Sequence, residues 1–121
     1  MVKLVELIGN PHYSYPVIHV AGTNGKGSVC SMLDSVYRAN NYKTGLFTSP
    51  HLVELGERIR VKGEIISNAK IEEWVEWLKP AAQRMEEDAE IGHPTFFEFM
   101  TAIAFLHFEE KKVDLAIMET G

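Results

Sequence analysis

Apolar and polar positions alternate along this chain in a succession of distinct periods, and each period predicts an element. Residues 2–8 read as the end of a helix, closed by the breakers Gly9, Asn10 and Pro11. Val17 to Ala21 then form a short apolar strand. Beyond a glycine-rich segment, Val29, Met32, Leu33, Val36 and Tyr37 recur at i, i+3, i+4, i+7 and i+8. That spacing predicts a helix through about Asn40, with one apolar face packed on a sheet. Tyr42 to Thr48, Gly45 included, read as a second strand that completes a βαβ unit with a right-handed crossover.

From Glu57 to Ser67 charged and apolar residues alternate (Arg58, Ile59, Arg60, Val61, Lys62) around Gly63-Glu64, the pattern of an exposed two-stranded ribbon. Ser67 or Asn68 can cap a following helix that carries Ile71, Trp74, Val75 and Leu78 on one face; Pro80 either kinks it or starts another. Trp74 and Trp77 read as core or interface residues. Thr95-Phe96-Phe97-Glu98 has capping-box spacing and opens a helix reaching about Lys111. This helix is apolar nearly all round (Phe99, Met100, Ile103, Phe105, Leu106, Phe108), which predicts burial between layers, with His107 as a hydrogen-bonded core histidine. The run Asp114 to Met118 is continuously apolar after its first residue, the mark of a strand covered on both faces, and ends in Glu119-Thr120-Gly121. The predicted fold class is α/β, a parallel sheet with flanking helices.

Composition narrows the function classes. The 121 residues, 45% apolar, allow one domain with a real core. A net charge of −5 with no stripe of Lys and Arg speaks against a nucleic-acid surface. Glu86, Glu87, Asp88 and Glu90 read as a solvated helix end or loop. The single cysteine, Cys30, has no internal disulfide partner and reads as a small buried thiol in a reducing compartment. No stretch approaches the roughly 18 apolar residues of a membrane span, and Lys3 and Glu6 interrupt any signal-peptide core. The expected location is the cytoplasm, with no membrane partner.

The segment after the first strand carries the chemistry. Gly22-Thr23-Asn24-Gly25-Lys26-Gly27-Ser28 runs from strand to helix, as a phosphate cradle does. Glycines let several N–H groups face one anion, the helix adds its positive end, and Lys26 adds a mobile charge. The order of strand, loop, lysine and helix points to ATP or GTP. Two positions depart from the usual G-x-x-x-x-G-K-[ST] pattern: Val20 stands where the first glycine would be, and Gly27 follows Lys26 in place of a hydroxyl. A hydroxyl returns only at Ser28. The plainer alternative is a Gly/Asn-rich turn.

In an open parallel sheet, ligands bind beyond the carboxyl ends of the strands. The three predicted strands end in the glycine-rich loop, in Thr48-Ser49-Pro50-His51 and in Glu119. Parallel placement would gather Lys26, Ser49 and Glu119 around one triphosphate, and a carboxylate ending an apolar strand is where P-loop enzymes hold magnesium. Strand-end carboxylates are also often no more than exposed turn residues.

The run from His19 to Val29, then Ser49-Pro50-His51-Leu52, Glu57-Arg58-Ile59-Arg60, Phe97-Glu98 and Met118-Glu119-Thr120-Gly121, resembles folylpolyglutamate synthase/dihydrofolate synthase of the Mur-ligase superfamily. The resemblance spans nearly the whole chain, and both departures from the standard loop are features of that family. It implies the Mur-ligase central ATPase domain, incomplete here: residues 1–121 as a partial N-terminal ATP-binding domain, without the family's C-terminal domain. It also implies an ATP-dependent ligase that joins L-glutamate to the carboxylate of a folate or of dihydropteroate through an acyl phosphate. The full-length enzyme would act as a monomer, and the fragment alone would be inactive.

Carried over by position, Gly22, Thr23, Asn24, Gly25, Lys26, Gly27 and Ser28 would bind the ATP phosphates, with Lys26 catalytic. Ser49 and Glu119 would hold Mg2+. Pro50 and His51 fall in a loop similar to the one that helps form the family's folate site, and Thr95 and Phe97 align with residues lining its pterin pocket. Phe97 reads equally as a core residue at a helix start, and Arg58 and Arg60 either attract an anionic substrate or decorate the ribbon. A Mur-type ligase of cell-wall synthesis shares the chemistry but not the Ser49-Pro50-His51-Leu52 and Glu57-Arg58-Ile59-Arg60 pair. A P-loop kinase or GTPase would place a hydroxyl directly after Lys26. A non-catalytic nucleotide-binding module remains the alternative outside the enzymes.

Overall fold

The computed structural model describes residues 2–21, 25–48, 58–87 and 95–119. A first helix, α1 (Val2–Leu7), and a short 3-10 turn (Pro11–Ser14) lead to strand β1 (Val17–Val20). Helix α2 (Lys26–Ala39) and strand β2 (Thr44–Phe47) follow, then the ribbon β3 (Ile59–Val61) and β4 (Glu64–Ile65). Helices α3 (Asn68–Glu87) and α4 (Phe96–Glu110) precede strand β5 (Leu115–Glu119).

The five strands form one sheet in the order β1-β5-β2-β3-β4. β5 is parallel to both β1 and β2, inserted between them after the α2 crossover has been made. The ribbon that the sequence predicts is present, and it extends this parallel core rather than standing apart. β3 pairs antiparallel with β2, and the turn at Lys62 and Gly63 takes two left-handed residues, φ 53° and 81°. Ile59 and Val61 are therefore buried, where an exposed ribbon was expected.

Side chains alternate across β2 and β5 and so divide the core in two. Leu46, Leu115 and Ile117 pack with Cys30 beneath α2. Phe47, Ala116 and Met118 pack on the other face with α4, and residues of α1 and α3 close that layer. α4 is buried from Met100 to Phe108, as its all-round apolarity requires, and the Thr95/Glu98 capping box is formed in both directions at 3.1 Å. Ser67 caps α3 through its hydroxyl, which accepts from the Lys70 N–H. Pro80 lies inside one continuous helix, which forgoes the hydrogen bond that its missing N–H would have supplied.

Two expected faces differ. In α2 the residues facing the sheet are Cys30, Leu33, Asp34 and Tyr37, while Val29 and Val36 are exposed and Met32 is 68% exposed. A buried polar group rotates the helix: the Asp34 carboxylate accepts from the Thr44 hydroxyl of β2 at 2.7 Å and from Arg38 Nε at 2.9 Å. Satisfied in this way, Asp34 can occupy a core position that hydropathy alone would deny it. In α3, Trp74 packs against the core, but Trp77 is exposed, edge-on to it at 5.8 Å.

Gly45 is required by packing. A β-carbon there would lie 2.7 Å from Cδ1 of Phe108, whose ring is fully buried and has no room to retreat. Gly45→Ala is expected to destabilise the fold by about 1–3 kcal/mol. A lowered urea midpoint with an unchanged slope would register it.

His107 is buried, as predicted, but its Nδ1 has no hydrogen-bond partner among the described residues, so the expected bonded core histidine is only half realised. Burial, with help from Lys111 and against Glu110, lowers its pKa to about 4. A depressed histidine contributes stability above its unfolded pKa of about 6.5 and loses it as pH falls through the folded value. Stability is therefore expected to decline by up to about 3 kcal/mol between pH 6.5 and 4. His107→Leu should flatten that part of a pH–urea profile.

Candidate functional site

The parallel register sets the rim of the site. Val20 pairs with Glu119 and Phe47 with Met118, so β1, β5 and β2 end side by side. At this rim the chain leaves β1 and enters α2 through Gly25, whose backbone is left-handed at φ 74° and ψ 0°. Glycine takes that conformation at the least steric cost. The Gly25 carbonyl then accepts from the Val29 N–H at 3.0 Å, closing the first turn of a helix whose leading N–H groups have no partner within it. Gly27 and Ser28 are exposed in that turn.

Glu119 shares a face of β5 with Leu115 and Ile117, so its side chain projects toward α2. Its Oε2 lies 3.9 Å from the point where a β-carbon on Gly27 would sit, and the residue is only 2% exposed. A carboxylate from one end of the sequence is thus set against the first turn of the helix that follows the glycine-rich loop. The distance is an ordinary van der Waals contact, so Glu119 does not by itself exclude a side chain at position 27. Among the described residues no cluster of three or more His, Cys, Asp or Glu could cage a metal unaided. A single buried carboxylate beside a phosphate cradle does suit Mg2+, which characteristically takes one or two carboxylates and completes its shell with phosphate and water oxygens.

The other face of the same rim is aromatic. α4 runs back from the rim, so Thr95 and Phe97 at its start stand near the end of β2, where Phe97 packs against Phe47 at 5.9 Å between ring centroids. Phe97 remains 41% exposed, which makes it a rim residue more than a core one. Phe96 is also exposed and lies under the Arg58 guanidinium, 5.5 Å from its carbon to the ring centroid. The sequence reading missed this pair, although two adjacent aromatics at a helix start were a usable signal, since a capped first turn cannot bury both. Arg60, two residues further along, lines a cavity of about 270 Å3 with Asp34 and Arg38 on the α2 side.

Gly22, Thr23, Asn24, Ser49, Pro50 and His51 lie outside the described residues, as does the side chain of Lys26. Their flanks are described. Thr48 extends the β2–β3 ladder by donating its N–H to the Arg58 carbonyl at 2.9 Å, directly before Ser49.

No family model matches the chain. Individual proteins do. It is 44% identical over its whole length to the dihydrofolate synthase/folylpolyglutamate synthase of Bacillus subtilis, of which it covers 28%. It is 41% identical to the protein of the same description from Mycobacterium tuberculosis, covering 98% of this chain and 26% of that one. Among solved structures, Thermotoga maritima folylpolyglutamate synthase superimposes with a TM-score of 0.93 at 42% identity, over 99% of this chain and 28% of that chain. The Mycobacterium tuberculosis enzyme complexed with ADP and AMPPCP gives 0.93 at 39%, over 99% and 27%. The chain thus spans little more than a quarter of the length of these relatives. Sequence and fold agree across that stretch, and the chain belongs to the folylpolyglutamate synthase/dihydrofolate synthase family.

Proposed function

We propose that residues 1–121 supply the ATP-binding part of a cytoplasmic, monomeric, ATP-dependent ligase that joins L-glutamate to the carboxylate of a folate or of dihydropteroate. The observation that carries this reading is the approach of the Glu119 carboxylate to Gly27, at the rim where β1, β5 and β2 end together. Solved relatives described as complexes with ADP and AMPPCP, and with AMPPCP and folate, support the choice of nucleotide and acceptor.

In this reading the acceptor carboxylate attacks the γ-phosphorus of ATP and ADP leaves, giving an acyl phosphate. The amine of glutamate then attacks the acyl carbon, loses a proton and expels phosphate. The first step asks mainly for charge neutralisation around the transferred group. The amides of Gly22 to Ser28 and the positive end of α2 would hold the phosphates, with Lys26 over the β and γ groups. Glu119, with Ser49, would hold Mg2+, which when bound offsets phosphate charge. Pro50, His51, Thr95 and Phe97 would receive the acceptor, the flat ring of Phe97 suiting a flat heterocycle.

The test is glutamate-dependent phosphate release from ATP by the full-length protein, run in parallel with dihydropteroate and tetrahydrofolate. Release with at least one acceptor is expected. Release with neither, in a folded protein that binds ATP, would leave a nucleotide-binding module.

A further inference from the structure

Near the rim, Phe47 of β2 pairs with Met118 of β5 on one side and with Ile59 of β3 on the other. The next residues outward are Glu119, Thr48 and Arg58, and the Thr48 N–H closes this outer row by donating to the Arg58 carbonyl at 2.9 Å. With neighbouring strands about 4.8 Å apart, the backbone of Arg58 lies roughly 10 Å from that of Glu119, a gap that an arginine side chain and a small acceptor can span together. The Arg58 guanidinium has a defined seat: its central carbon sits 5.5 Å from the centroid of the Phe96 ring. Phe96 is 57% exposed and Phe97 beside it 41%, so the cation stands next to an open aromatic surface at the rim. Arg60, by contrast, pairs with Leu46, which packs beneath α2, and lines the cavity on that side. Of the two arginines, Arg58 is the one on the aromatic side.

Resting on the ligase reading above, we infer that Arg58 determines acceptor specificity: its guanidinium receives the carboxylate of a folate's glutamyl group that does not react. A pteroate has one carboxylate, and that one reacts. A folate carries two on its glutamyl group, so one is left over, charged, a few bonds from the reacting centre. Taking this second charge out of water without a partner is costly.

The chemistry of Arg58 suits the task. A guanidinium stays charged at any working pH, and its planar fork matches a carboxylate, which a lysine meets only as a point charge. The aromatic seat holds the guanidinium through its charge and uses none of its N–H donors. A side chain already held in place also loses less freedom when the acceptor arrives.

The probes are folate and pteroate, which differ only in the glutamyl group, and the measurement is calorimetric binding to the full-length protein with AMPPCP and Mg2+ present. The parent should bind folate at least about tenfold more tightly than pteroate, the low end of what a hydrogen bond between charged groups supplies. Arg58→Gln should remove most of that preference by weakening folate alone, and Arg58→Lys should restore part of it. A role confined to holding the rim together would weaken both compounds equally. That outcome, a parent without preference, or an Arg58→Gln variant that keeps the preference would each overturn the assignment. A parent that binds neither compound would overturn the acceptor site itself and Arg58 with it, whereas folate binding that ignores Arg58→Gln would leave the site standing and remove Arg58 alone.

Discussion

Lys26→Ala is expected to lower glutamate-dependent phosphate release by about a thousandfold, with either acceptor, while the protein remains folded. Lys26 is the first residue of α2, directly after the left-handed Gly25. In the proposed function a charge at that point would reach the phosphates beside the helix end, where displaced water would strengthen each interaction. Fixed donors aimed at developing charge are typically worth a factor of about 100 to 1,000 each, and a full positive charge belongs at the upper end. The loss should appear in kcat more than in KM, because in the proposed function the amides of the loop would still hold the nucleotide. A rate within about threefold of the parent would mean that transition-state stabilisation of that size does not come from this lysine.

Glu119→Gln is expected to cost about a hundredfold in kcat/KM at ordinary magnesium concentrations. The replacement keeps the shape of a side chain that is almost wholly buried, so the packing of β5 against α2 should survive. What it removes is the negative charge beside Gly27. If that charge helps to bind the metal that accompanies ATP, the loss should be relieved in part by raising Mg2+, and the Mg2+ midpoint should move upward. A purely structural role would instead lower the unfolding midpoint and leave the Mg2+ dependence alone.

The elements were legible because their periods are strong. The all-round apolarity of α4 and the continuous run of β5 each have one physical solution, burial on every side, and both adopt it. The capping box at Thr95 is a local device that needs no tertiary help. The failures share a cause. Val29, Met32 and Val36 repeat at helical spacing yet face outward, because Asp34 is drawn to the sheet by Thr44 of β2, a tertiary contact that adds to its local i,i+4 pair with Arg38. Ile59 and Val61 are buried because β3 joins β2, a choice made by sheet pairing and not by the ribbon's own composition.

At the site, sequence order gave the three strand ends, and the parallel register decides that two of them, Val20 and Glu119, lie opposite each other. It did not disclose that Arg58 would stack on Phe96, since a contact between residues so far apart depends on α4 returning to the start of β3.

The most direct measurement is a crystal structure of the protein grown with AMPPCP and Mn2+, read by anomalous scattering. The manganese peak should lie about 2.1 Å from a Glu119 carboxylate oxygen, bridging to phosphates seated on the first turn of α2. A metal and phosphates bound elsewhere, with Glu119 outside the coordination shell, would contradict the assignment of this rim as the nucleotide site.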